Sequence, residues 1–216
     1  MRHPAKFSDQ FIPIMADLCA GYGRILDQFA GIGKICEMWD YGYKGEIYCN
    51  ELEPEWIYND DYEPTHIDTM DAEYLSYPDA YFDAIVTSPT YGNRMADHHK
   101  ARDGSKRVTY AHCLGHDLHD GNTGAMQWGG RYRDKHERIY DNICRMIKPH
   151  GAFILNIKNH IRSGKEIDVV SWHIDTICKN GFYVDEDIRV PVTSMGFGAN
   201  GSKRVSEEHI VKMIKE

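Results

Sequence analysis

The run Phe82-Asp83-Ala84-Ile85-Val86-Thr87-Ser88-Pro89-Thr90-Tyr91 sets a small hydroxyl, a proline and an aromatic directly after an apolar strand. The crevice beyond strand C-termini is where open α/β sheets take their ligands. This residue set suits activation of an exocyclic amine. Such an amine is a poor nucleophile, because its lone pair is delocalised into the ring. The Ser88 hydroxyl and the Pro89 carbonyl can accept its two hydrogens and draw the nitrogen toward a tetrahedral form. Tyr91 can stack on the ring and fix its plane. The plainer alternative is a strand closed by a proline turn with a packed tyrosine.

A second set lies at Leu26-Asp27-Gln28-Phe29-Ala30-Gly31-Ile32-Gly33, where two glycines stand between a strand and a helix. Glycines there let the backbone turn sharply and approach a ligand without a Cβ in the way. The N-terminus of the next helix would offer free N–H groups to an anion. No third glycine follows, since Ile35 and Cys36 stand there, so the dinucleotide fingerprint is incomplete and NAD is disfavoured. The next strand ends at Asn50-Glu51. Glu51 is the best acceptor for ribose hydroxyls, with Glu53 second. Asp71, after the third strand, could reach an adenine amino group.

The third set is electrostatic. The chain carries a net charge of −8, and no Lys or Arg occurs between Gly45 and Asn93. From Arg94 to Arg138 nine Lys/Arg face six Asp/Glu, with six histidines among them. A polyanion would meet this segment rather than the acidic body; the alternative is a solvated loop of mixed charge. His112, Cys113, His116 and His119 match no strong zinc spacing, and no metal is expected. The six cysteines form no Cys-x-x-Cys pair and read as reduced, mostly core thiols. None follows a proline, which argues against methylation at a pyrimidine ring carbon.

The elements that must position these sets alternate. Helical spacing covers Phe7–Cys19, Lys34–Trp39, Lys135–Ile147 and Ile167–Cys178, with a helix start at Pro54–Tyr58. Strand-like runs are Arg24–Phe29, Glu46–Cys49, Thr65–Ile67, Phe82–Val86, Ala152–Ile157, Phe182–Val190 and Val205–Ile214. Alternation of this kind means an α/β fold with a mostly parallel sheet covered on both faces. The last two strands have no helix between them and should form an antiparallel edge hairpin. Residues 1–216 read as one domain with a polar, irregular insertion at about 93–134, long enough to be functional. Apolar content of 42% and charged content of 27% fit a soluble globular chain. No apolar run approaches a membrane span and no signal peptide is evident, so a cytoplasmic enzyme is expected.

The motifs together resemble the amino-methylating DNA methyltransferases of the small phage and bacterial kind. These transfer methyl from S-adenosyl-L-methionine to cytosine N4 or adenine N6. Asp27-Gln28-Phe29-Ala30-Gly31-Ile32-Gly33 resembles their Asp-Pro-Phe-x-Gly-x-Gly loop, and Ser88-Pro89-Thr90-Tyr91 their Ser-Pro-Pro-Tyr or Asp-Pro-Pro-Tyr motif. His3-Pro4-Ala5-Lys6-Phe7 resembles the element before their first helix, and Lys148-Pro149-His150-Gly151 their Lys-Pro-Gly-Gly turn. Thr90 stands where the second proline would be. The His-Pro-Ala element comes first, an order most Ser-Pro-Pro-Tyr enzymes do not have. Ser88 is commoner among cytosine-N4 enzymes, which leaves the base open.

The resemblance implies a seven-stranded Rossmann-like class I methyltransferase fold and direct in-line transfer to a flipped base in DNA. It assigns Ser88, Pro89 and Tyr91 to catalysis. The cofactor would meet His3, Pro4, Ala5, Phe7, Asp27, Phe29, Ala30, Gly31, Gly33, Glu51 and Asp71. The substrate would meet Thr90, Asn93, Arg94, Lys100, Arg102, Lys106, Arg107 and Trp128, the basic ones on phosphates. The alternatives are an RNA base methyltransferase, a methyltransferase-like subunit without activity, and a small-molecule enzyme.

Overall fold

Neighbouring residues along the central strands feed two separate cores. In the computed structural model, which describes residues 8–57, 63–92, 109–192 and 205–216, the strands are β1 (Arg24–Asp27), β2 (Glu46–Asn50), β3 (His66–Asp68), β4 (Phe82–Thr87), β5 (Ile147–Ile157), β6 (His160–Arg162), β7 (Lys165–Ile167), β8 (Phe182–Pro191) and β9 (Glu207–Lys215). Ile25, Ala84, Val86, Ile154 and Ile210 face one side, where α1 (Ile12–Leu18) and the 3-10 helix Lys34–Trp39 cover them. Leu26, Ile85, Phe153, Leu155, Val211 and Met213 face the other. There, after the short helices α2 (Pro54–Ile57) and α3 (Tyr110–Leu114), the longer α4 (Gly130–Arg145) and α5 (Val169–Cys178) pack on them. The period of two in the strands forces this split, and each fully buried large apolar side chain contributes roughly 1.5–3 kcal/mol.

Seven strands form one sheet in the order β3-β2-β1-β4-β5-β9-β8. The first five are mutually parallel, while β9 runs antiparallel to both β5 and β8. The expected edge hairpin is present, with its second strand inserted next to β5. The segment after β5 carries the small hairpin β6–β7. Among the described residues no helix is long and apolar enough to cross a membrane.

Several boundaries differ from the sequence expectation. The first helix begins at Ile12 rather than Phe7, with Pro13 in its first turn, where a missing N–H is tolerated. Lys34–Trp39 is a 3-10 helix entered from Gly33 at φ 72 without a side-chain cap. The helix expected to run to Ile147 ends at Arg145, and Ile147 already belongs to β5. Lys148-Pro149-His150-Gly151 therefore forms an irregularity within β5, where the pairing shifts between Phe82↔Ile147 and Ala84↔Ala152. His150 has φ 62, and a Cβ at Gly151 would come within 2.5 Å of the Asp83 carbonyl. The described part of the insertion, from Thr109 on, is more regular than its composition suggests. It holds α3, capped by Thr109 and closed at Gly115, a 3-10 turn at Thr123–Ala125 and the first turn of α4.

Candidate active site

A cavity of about 540 Å³ opens at the C-terminal ends of β1, β2, β4 and β5. Small-molecule sites typically fall at about 300–1,000 Å³. The glycine loop forms one wall. Ala30 N–H donates to the Asn50 carbonyl at 3.0 Å, and Gly31 N–H to Glu51 Oε2 at 2.9 Å. Glu51 Oε1 accepts from Glu53 N–H at 2.9 Å. Burial pushes the Glu51 carboxyl up to about 7, against those two hydrogen bonds. The Gly31 N–H is thus committed within the protein. The six-residue 3-10 helix that follows is not the α-helix N-terminus expected there.

Asp27 lies beneath the loop rather than on the cavity wall. Its Oδ1 accepts from Thr87 Oγ1 at 2.7 Å and Phe29 N–H at 3.0 Å, tying β1 to β4. Burial raises its carboxyl to about 7, and the bonds from Thr87 and Phe29 oppose that rise. Asn50 donates to the Gln28 and Met70 carbonyls and accepts from Met70 N–H, so one side chain joins the loops after β1 and β3. Asp71 lines the cavity with both oxygens engaged: Oδ1 by Glu73 N–H and Oδ2 by Lys135 Nζ at 2.5 Å. Gln28 is 1% exposed and lines the cavity, yet its amide nitrogen and oxygen have no partner among the described residues.

The tetrapeptide, which follows β4 next to β1, lines the same cavity. Tyr91 donates to Glu208 Oε1 at 2.9 Å and lies 3.2 Å from Ser88 Oγ. An ionised carboxylate only accepts. The Tyr91 hydrogen therefore points at Glu208, and Ser88 must supply the hydrogen between itself and Tyr91. Both Ser88 lone pairs are left to accept. Lys158 Nζ closes the cluster at 3.0 Å from Glu208 Oε2. Burial, then the Glu208 charge, push the Tyr91 hydroxyl well above the ordinary tyrosine range, so it stays a donor.

Behind this wall, Tyr132 donates to the Thr90 carbonyl. With that hydrogen spent, His173 Nε2–H donates to the Tyr132 oxygen at 2.9 Å, and His173 Nδ1 accepts from Tyr140 at 2.6 Å. Burial, reinforced by His136, holds His173 far below the usual imidazole range, so it is neutral. From the described part of the insertion, Tyr110, Gly121, Asn122 and Thr123 line the cavity. Thr90 Oγ1 donates to Thr123 Oγ1 at 2.9 Å, while Glu53 Oε1 accepts from His119 N–H and Asn122 Nδ2.

Of the residues singled out in the sequence, Phe29, Ala30, Gly31, Glu51, Asp71, Ser88, Pro89, Thr90 and Tyr91 line this one cavity. Asp27 lies beneath the loop, and Gly33, the cap of the 3-10 helix, is not among the lining residues. Trp128 is not on the wall; it packs on Tyr132 and Trp172 at ring separations of 5.4 and 5.5 Å. His3, Pro4, Ala5, Phe7, Asn93, Arg94, Lys100, Arg102, Lys106 and Arg107 lie outside the described residues. Sequence reasoning missed Gln28, Asn156 and Glu208 as wall residues. Asn156, a lone polar residue inside Ile154–Ile157, carried a signal; Glu208 carried none. Among the described residues no three His, Cys, Asp or Glu side chains converge as metal ligands. His116 Nε2 sits instead 3.1 Å from Glu55.

Strand order and cavity position define a Rossmann-like class I methyltransferase fold. No family model matches the chain, and no curated protein matches it in sequence. Solved structures do match it in shape. The N-methyltransferase NodS from Bradyrhizobium japonicum, in complex with S-adenosyl-L-homocysteine, aligns with a TM-score of 0.59 at 12% identity, over 94% of this chain and 83% of that one. A SAM-dependent methyltransferase from Methanosarcina mazei aligns with a TM-score of 0.57 at 14% identity, over 94% and 97%. The [4+2]-cyclase SpnF aligns with a TM-score of 0.54 at 13% identity, over 99% and 85%. The likeness is one of fold.

Proposed function

We propose that the protein transfers a methyl group from S-adenosylmethionine to the exocyclic amino group of a base in DNA, cytosine N4 or adenine N6. The observation that carries this reading is that the glycine loop and Ser88-Pro89-Thr90-Tyr91, which follow the paired strands β1 and β4, line one cavity. The donor set fits the cofactor. Glu51 offers a buried carboxylate to a ribose diol, and Ala72 and Trp56 give apolar wall to an adenine. The unpartnered Gln28 amide supplies a buried donor and acceptor.

When bound, the cofactor supplies an electrophilic methyl on a sulfonium. Ser88, kept an acceptor by Tyr91 and Glu208, takes one amine hydrogen and the Pro89 carbonyl the other. A group that itself needed a hydrogen-bond donor would find none at Ser88, which favours an amine over a carbonyl or alkoxide. A base in duplex DNA must leave the stack to reach this depth, at a cost of a few kcal/mol. The basic stretch 94–107 is the natural phosphate contact.

Labelled cofactor should pass its methyl to duplex DNA, and nucleoside mass spectrometry should find N4-methylcytosine or N6-methyladenine. Transfer to RNA alone, or only to free small amines, would overturn the DNA reading.

A further inference from the structure

Methyl transfer to an amine leaves one proton too many on nitrogen, and the cavity contains a directed path for it. Ser88 donates to Tyr91, Tyr91 donates to Glu208, and the two contacts are 3.2 and 2.9 Å. Glu208 is 5% exposed and comes from β9, 117 positions from Tyr91 in sequence. Its second oxygen is held by Lys158, whose side chain is 38% exposed. One end of the path, Ser88, lines the cavity, and the other is held by the partly exposed Lys158. We propose that Glu208 is the proton acceptor of the reaction, reached from the substrate amine through Ser88 and Tyr91.

This rests on the amine-methylation reading. The nitrogen lone pair forms the N–C bond while the C–S bond breaks, and its electron pair stays on sulfur as a neutral thioether. As positive charge builds on nitrogen in the transition state, its proton passes to Ser88 Oγ while the Ser88 proton moves to Tyr91 and the Tyr91 proton to Glu208. One proton travels from nitrogen to carboxylate, and Ser88 and Tyr91 end as they began. An exocyclic ammonium on an electron-poor nucleobase ring, whose lone pair would otherwise be delocalised into the ring nitrogens, is a far stronger acid than a carboxylic acid, so the transfer is downhill. Lys158 Nζ, 3.0 Å from the second Glu208 oxygen, holds the carboxylate in place for the transfer.

A purely structural Glu208 would act only as an acceptor for the Tyr91 hydrogen, and a glutamine does that equally well. Glu208→Gln separates the two roles, because its oxygen accepts a hydrogen bond but not a proton. Single-turnover methyl transfer should fall about 100-fold or more in Glu208→Gln, the scale of general-base effects. KM and calorimetric cofactor affinity should hold near wild type, and Glu208→Asp should recover part of the rate. Tyr91→Phe cuts the same path, so combining it with Glu208→Gln should cost little beyond either alone. A Glu208→Gln rate within threefold of wild type, or additive losses in the double variant, overturns the proposal while wild-type activity stands. Wild-type protein inactive on every amine substrate overturns the methylation reading instead.

Discussion

The Trp128 N–H donates to the Gly92 carbonyl at 2.8 Å, and a Cβ built on Gly92 would lie 2.8 Å from that same nitrogen. Gly92 has φ +65 and immediately follows the tetrapeptide. The chain can leave Tyr91 in this direction only because no side chain is present. Gly92→Ala adds a left-handed penalty of roughly 1–2 kcal/mol to a clash with backbone that cannot swing away. The urea midpoint should drop and methyl transfer should fall further than stability alone explains, because Tyr91 is displaced. An unchanged midpoint would mean that the turn adapts.

Tyr132→Phe removes the donor to the Thr90 carbonyl and leaves His173 Nε2–H buried without a partner. An unsatisfied buried polar group costs about 1–3 kcal/mol, to be measured by denaturant unfolding. Tyr140→Phe should cost less, since His173 Nδ1 loses a donor but Thr90 remains held. Equal losses would show that the Thr90 anchor has no special weight.

Buried acids and buried imidazoles should oppose each other in the pH dependence of stability. Asp27 and Glu51 are raised to about 7 from ordinary values of 3.8 and 4.5, so between about 4 and 7 the folded state binds more protons than the unfolded. Their effect is to lower stability as pH rises through that window. His136 is lowered from 6.5 to about 4 by burial, and His173 moves the same way. For these the unfolded state binds more protons, and stability rises with pH up to about 6.5. Glu51→Gln should therefore steepen the rise of unfolding free energy between pH 4.5 and 6.5, and His136→Phe should flatten or invert it. Identical profiles for wild type and both variants would refute the linkage.

Glu51 also links pH to cofactor affinity. Ribose hydroxyls donate best to an ionised carboxylate, so binding should release a proton and tighten as pH rises through 7. Calorimetry in two buffers of different ionisation enthalpy measures that proton. Glu51→Ala should weaken binding roughly 10–100-fold, given about 1.5–3 kcal/mol for a hydrogen bond to a charged group, and should remove the pH dependence. Wild-type affinity in this variant would place the ribose elsewhere.

Ser88-Pro89-Thr90-Tyr91 and Asp27–Gly33 were legible because each is local: a strand end and the few residues after it. Their meeting in one cavity followed from parallel alternation, since parallel strands deliver all their C-termini to one edge. Glu208 was not legible, because a period of two places it on a face but says nothing of which strand β9 will join. Trp128 misled for a related reason: an aromatic in a polar stretch suggests a binding residue, but α4 and α5 turn it onto other rings. The 3-10 geometry after Gly33 was hidden too, since apolar spacing over six residues fits either helix.

The position of β9 has a consequence for the timing of synthesis. A nascent chain that has emerged as far as α5 already contains both motifs but not Glu208. It also leaves the apolar flank of β5 open, a bare edge that invites pairing with another chain. Insertion of β9 closes that edge and delivers Glu208 to Tyr91 in the same event. The competent cavity and the protected sheet arise together, so a chain halted before this strand docks would be adhesive and inactive at once.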